Sequence, residues 1–101
     1  MIFETLWESA QRGELLLVDG GFCHWHLRKD GQLTIREIIS LKPGQGSFML
    51  DVLKAKDPVS IFAKCPVKLE ANEFYRKKGF TLEGTEKTRT GRELNLWRLS
   101  L

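Results

Sequence analysis

Lys68-Leu-Glu-Ala-Asn-Glu-Phe-Tyr-Arg-Lys-Lys-Gly-Phe80 carries an amphipathic helix, a glycine stop and a strand start in one segment. Ala71, Phe74 and Lys78 fall at i, i+3 and i+7, so the two apolar side chains and the lysine stem are expected against a core. Lys68, Asn72 and Tyr75 form a second stripe beside the first, and this polar stripe carries a phenol. Gly79 is expected in the left-handed conformation that ends a helix, with Phe80 opening the next strand.

Reading outward, residues 59–64 form a short apolar strand closed by Cys65-Pro66, and residues 67–78 form the helix just described. Residues 80–88 and 93–99 are two further strands joined by Arg89-Thr-Gly-Arg92. Upstream, the breaker-rich residues 42–47 lead into a helix over 47–56 that buries Phe48, Met49, Val52 and Leu53 and stops at Asp57-Pro58. The apolar run 14–19 lies between Gly13 and Gly20-Gly21; a strand over 22–28, the hairpin signal Asp30-Gly31 and a strand over about 33–41 complete an antiparallel meander. Ile2, Phe3, Leu6, Trp7 and Ala10 recur at helical spacing over residues 2–12. The expected order is α-β-β-β-α-β-α-β-β, an α/β chain of the α+β kind with a central, mostly antiparallel sheet flanked by helices.

At 101 residues the chain is expected to be one domain, 1–101, around one modest core. No apolar run approaches the roughly 20 residues that span a bilayer, and Met1-Ile-Phe-Glu-Thr-Leu-Trp-Glu8 lacks the basic start of a secretory signal. A cytoplasmic location with reduced Cys23 and Cys65 is the expectation. The net charge of +3 suits a polyanionic partner, a phosphate-bearing cofactor or nucleic acid. Lys42-Pro-Gly-Gln-Gly-Ser47, between a strand and a helix, can present backbone N–H groups to an anion or can be a plain turn; its spacing matches neither GxxxxGK[ST] nor GxGxxG.

Read together, that loop and Ala71-Asn72-Glu73-Phe74-Tyr75 with Gly79-Phe80 resemble the GCN5-related N-acetyltransferase (GNAT) family, whose later helix typically reads AN-x-FY-x-x-x-GF. The resemblance covers residue 14 to the C terminus and implies an acyl-CoA-binding domain. It further implies an acetyl-CoA-dependent N-acetyltransferase that passes an acetyl group to an amine by direct attack on the thioester, with no metal. It places Gly44, Gln45, Gly46 and Ser47 at the cofactor pyrophosphate and Ile39, Ser40 and Leu41 beside the pantetheine arm. Tyr75 would stand near the thioester sulfur, where a phenol is competent to protonate a leaving thiolate; its alternative is plain packing beside Phe74. Asn72 either holds cofactor amides or caps local backbone.

Leu33, Ile35, Glu37, Ile39 and Leu41 are expected to share one strand face, so Glu37 interrupts an apolar row and is the candidate base for the acceptor amine. An ion pair with Arg28 or Arg36, or exposure at a sheet edge, is the alternative. His24 and His26 share the face of strand 22–28 opposite Cys23 and Trp25; they can line the amine pocket beside Glu37 or be structural, and two ligands on a strand do not make a zinc site. Three features depart from the family pattern: Leu41 stands where Gln or Arg is usual, Lys68 where Asn is common, and the first strand and helix are missing. The acceptor groove is then either open to a large substrate such as a protein, or completed by a second subunit, with Trp97 and the last strand as a candidate dimer edge. The competing classes are a catalytically inactive acyl-CoA-binding or protein-interaction module, and a nucleic-acid binder. The second is disfavoured because Arg76, Lys77, Lys78, Lys87, Arg89 and Arg92 interleave with Glu83, Glu86 and Glu93.

Overall fold

The computed structural model describes residues 13–101. The helix expected over residues 2–12 lies outside the described residues. The elements in chain order are β1 (Leu15–Val18), β2 (Gly21–Leu27), β3 (Gln32–Ser40), α1 (Gln45–Lys54), β4 (Ser60–Pro66), α2 (Ala71–Lys77), β5 (Thr81–Lys87) and β6 (Glu93–Ser100). They build a six-stranded sheet in the order β1-β2-β3-β4-β6-β5. All neighbours run antiparallel except β3 and β4, so the expected mixed, mostly antiparallel sheet with helices is what forms.

The parallel pair is brief. Gln32 to Ile35 face Ser60 to Ala63, and beyond Ile35 and Ala63 the two strands part, although β3 continues to Ser40 and β4 to Pro66. Both helices cover the same sheet face. Met49, Leu50 and Leu53 of α1 and Tyr75 of α2 join Cys23, Leu33, Ile35, Ile61, Ala63, Cys65 and Trp97 in one buried cluster. The opposite face carries a polar row: Arg98 pairs Glu83 through its Nε and donates from Nη1 to Gln32 (2.9 Å) and Ser60 (3.3 Å), and the Gln32 amide donates to Thr34.

Three sequence expectations are corrected. The C-terminal strand is not a sheet edge: β6 inserts between β4 and β5, burying Trp97 to 2% exposure, and β5 is the edge instead. The polar stripe of α2 is its buried face, because Asn72 and Tyr75 are buried while Ala71 is exposed and Phe74 half-buried. The row Leu33, Ile35, Glu37, Ile39, Leu41 is broken by a β-bulge. Ile35 pairs Trp25 and Glu37 pairs His24, leaving Arg36 as the extra residue. A bulge inverts the alternation downstream of it, so Ile38, opposite Cys23, continues the core face and Glu37 turns to the other.

Candidate functional site

A groove runs from the N-terminus of α1 into the parting of β3 and β4. Its entrance is framed by Ser40, the loop 41–44, Gly46, Ser47 and Phe74. Its middle passes Ile38, Ile39, Ala71 and Phe74. It ends in a cleft of about 480 Å³ between the diverging strands, where Glu37, Cys65, Leu69, Tyr75 and Arg92 contribute walls.

The entrance lies at the N-terminus of α1. The helix starts at Gln45, two residues before the sequence places it, so Gln45, Gly46 and Ser47 form its first turn rather than a loop. Gly44 adopts φ 85°, which a side chain would disfavour, and supplies no side-chain cap. Gln45 N–H reaches the Lys42 carbonyl (3.3 Å) and Phe48 N–H the Gly44 carbonyl (3.1 Å), whereas the amides of Gly46 and Ser47 have no backbone acceptor among the described residues. Two unpaired N–H groups at a positive helix end are what a phosphate requires. Gly46 also permits the α2 helix to approach: a Cβ there would stand 3.0 Å from the Phe74 ring. Lys42, the first residue of the breaker-rich stretch 42–47, lies at this entrance and pairs Asp19 (2.5 Å).

The cleft places Tyr75 on the helix-covered side. Its ring stacks on Trp97 at 6.2 Å and meets Phe74 and Phe80 edge-on, at 5.6 and 5.1 Å. Such packing fixes the ring, and burial, with smaller contributions from Cys65 and Cys23, raises the phenol above its ordinary pKa. Tyr75 therefore keeps its proton at neutral pH. Glu37 lies across the cleft, half-buried, with no ion pair or side-chain hydrogen bond among the described residues. Arg28, one of its expected partners, pairs Asp30 instead, and Arg36 is exposed at the bulge.

Asn72 resolves its two alternatives. Its amide donates to the carbonyls of Pro66 (2.9 Å) and Leu69 (2.7 Å), and its oxygen accepts from Trp97 Nε1 (2.9 Å) and Asn95 (3.0 Å). Both ends are engaged, so Asn72 caps the β4–α2 turn and ties it to β6 rather than to a ligand. His24 is buried opposite Glu37, and His26 bonds the Glu14 carboxylate through Nδ1. Ile39 and Leu41 are exposed, and Ser40 hydrogen-bonds the Lys42 carbonyl; Leu41 and Ser40 stand at the entrance, and Ile39 lines the groove's middle and the cleft. Among the described residues, no group of three or more His, Cys, Asp or Glu side chains could hold a metal, and no helix is long and apolar enough to cross a membrane.

The same overall fold is found again in solved acetyltransferases. The ribosomal-protein-S18-alanine N-acetyltransferase from Escherichia coli superposes over 96% of this chain and 76% of its own, with TM-score 0.69 and 17% identity. Nourseothricin acetyltransferase matches 80% of this chain at TM-score 0.64 and 18% identity. A Bacillus anthracis protein described as a streptothricin acetyltransferase, solved with acetyl coenzyme A, matches 81% at TM-score 0.64 and 17% identity. The chain has the GNAT fold. It spans less than two thirds of the length of two of these three structures, 57% for the nourseothricin enzyme and 56% for the B. anthracis protein. No protein-family model matches the sequence, and neither does any curated protein. The GNAT fold here therefore rests on architecture and not on sequence similarity.

Proposed function

We propose that this chain is an acetyl-CoA-dependent N-acetyltransferase acting on an amine-bearing acceptor. The observation that carries the reading is the continuity of the groove: free helix amides at one end, a half-open strand in the middle, and a packed phenol facing a carboxylate across the cleft at the other. The residues fit the cosubstrate. Gly46 and Ser47 N–H groups, with Lys42 beside them, take the pyrophosphate. The β3 main chain from Glu37 to Ser40, unpaired on the β4 side, offers hydrogen-bonding groups to the amides of pantetheine.

Acetyl-CoA supplies the activated acyl group as a thioester. Glu37 accepts the proton that the amine must lose, directly or through a water. Tyr75 holds a proton for the departing sulfur. The groove contributes by positioning, which converts an encounter of two molecules into a reaction between held groups. The exposed β5 edge and the groove open to solvent suit an acceptor as large as a protein chain. The E. coli neighbour, by its name, acts on a ribosomal protein.

Isothermal titration with acetyl-CoA and with CoA tests the reading. The native chain binds both, and Gly46→Glu, which places a carboxylate among the phosphate-binding amides and against Phe74, loses at least about a hundredfold in affinity, as one like-charge clash plus lost anion contacts implies. With an amine acceptor in hand, Tyr75→Phe then lowers turnover about a hundredfold without altering acetyl-CoA affinity, as loss of a general acid does. A native chain that binds neither nucleotide at low salt defeats the proposal. A chain that binds both but turns over no amine favours the acyl-CoA-binding module.

A further inference from the structure

Beyond the cleft, a second concavity of about 510 Å³ opens between the β4–α2 turn and the β5–β6 hairpin. Lys68, Lys87 and Arg92 line it, and Glu93 is its one acidic residue. None of these three cations has an ion-pair partner among the described residues. Nearby, Lys64 pairs Glu86, Arg76 pairs Glu73 and Arg98 pairs Glu83; what distinguishes Lys68, Lys87 and Arg92 is that all three line one concavity. Three unpaired cations converging on one concave site hold a positive potential that scattered surface charges do not.

The walls of this concavity are held by the backbone. Val67 N–H donates to the Glu93 carbonyl (3.1 Å), joining the turn to the start of β6, and Thr88 N–H donates to the Arg92 carbonyl (2.8 Å), closing the hairpin. The concavity also joins the cleft. Pro66, Leu69 and Arg92 line both spaces, so a molecule whose amine reaches Glu37 passes its next groups over Arg92.

Building on the acetyltransferase reading, we propose that this concavity is the acceptor-recognition subsite and selects a peptide whose amino terminus is followed by acidic residues. Carboxylates a few bonds from the reacting amine meet Arg92 first, then Lys87 and Lys68. Nucleic acid fits the site less well: no aromatic residue lines it to stack a base, and Glu83, Glu86 and Glu93 interrupt any longer basic track.

The test is equilibrium binding by fluorescence anisotropy, which does not depend on turnover. Two hexapeptides, each with a free amino terminus and a label at an amidated carboxyl terminus, differ only at their second and third residues, Asp-Glu in one and Lys-Lys in the other. The acidic peptide binds the native chain about tenfold or more tightly than the basic one, the size of one charge-assisted contact, and weakens as salt rises. Lys87→Glu combined with Arg92→Glu reverses the preference, and Lys68→Glu, on a different element, reduces it; all three positions are exposed, and circular dichroism verifies folding. Equal affinity for the two peptides, no binding of the acidic one, or a preference that survives charge reversal overturns the proposal. So does tighter binding of a single-stranded RNA decamer that the same reversal abolishes. Acetyl-CoA titration of the same samples reports on the groove separately, so an acetyl-transfer reading that fails leaves the peptide preference measurable.

Discussion

The two halves of β3 do different work. From Gln32 to Ile35 the strand is paired on both sides, by β2 and by β4, and its side chains are committed: Leu33 and Ile35 to the core, Gln32 and Thr34 to the polar row on the far face. From Arg36 to Ser40 only β2 remains as a strand partner among the described residues, a bulge has turned the faces over, and Ile39 is 38% exposed. One nine-residue strand is therefore a structural member at its start and a half-paired, partly exposed edge at its end. The switch comes within one residue, at Arg36. An exposed, half-paired strand is ordinarily a liability for aggregation, and here the space beside it is shaped by Phe74, Tyr75 and Cys65 into a groove.

The closed half is expected to show the largest response to mutation. Ile35→Ala removes a side chain that is 3% exposed from the centre of the core and should cost about 2–5 kcal/mol, a large share of the roughly 5–15 kcal/mol that holds a small domain together. Urea denaturation followed by circular dichroism measures it. A loss below about 1 kcal/mol would mean that the core at the parting point can collapse around the void, and the distinction between the two halves of β3 would fail.

Alkaline pH probes the packing beneath both halves with an intermediate effect. Burial of Cys23, opposite Ile38, raises its thiol from 9.0 to about 12, and burial raises Cys65 and Tyr75 in the same direction. Each folded group holds its proton more tightly than its unfolded counterpart. The stability they contribute is thus fully present below pH 9 and is lost as pH rises from 9 toward 12, at up to about 1.4 kcal/mol per pH unit for Cys23. Thermal melts between pH 8 and 11 should fall along this slope. Cys23→Ala should flatten the part of it between pH 9 and 10, where the unfolded thiol titrates and the unfolded phenol does not yet; an unchanged slope would show that the thiol is not sealed from water.

Much of this was legible in the chain because its signals are local. The Asp30-Gly31 hairpin, the Asp57-Pro58 stop and the Gly79 terminator act on their own neighbours, and the elements they bound fall within a few residues of the expected places. What could not be read depends on partners far along the chain. Arg36 is an ordinary strand residue, and nothing at its position announces that β2 will pair around it. The insertion of β6 between β4 and β5 is a choice among sheet orders that period-two patterning leaves equal. Asn72 and Tyr75 look like a polar stripe until Trp97 and Asn95, more than twenty residues later, supply the hydrogen bonds and the stacked ring that let them be buried. At the site, the glycine-rich turn before α1 could be read from sequence, since its breakers are local. The wall made by Phe74 and the cation at Arg92 needed the fold to bring them alongside.

The smallest effect belongs to the open half and sharpens the contrast most. Ile39→Ala, four residues after Ile35 in the same strand, removes a side chain already partly in water and should shift stability by under about 1 kcal/mol. Its consequence should appear in ligand binding. If the pantetheine arm lies along this edge, losing the methylene contacts at about 0.8 kcal/mol each weakens acetyl-CoA by roughly threefold to tenfold, while Ile35→Ala, at temperatures where it remains folded, leaves that affinity nearly unchanged. The pair separates the two roles by crossing them: one variant moves the melt and spares the titration, the other spares the melt and moves the titration. Were Ile39→Ala to leave acetyl-CoA affinity untouched, the arm would have to lie nearer α2, against Ala71 and Phe74, and the open half of β3 would be only the floor beneath it.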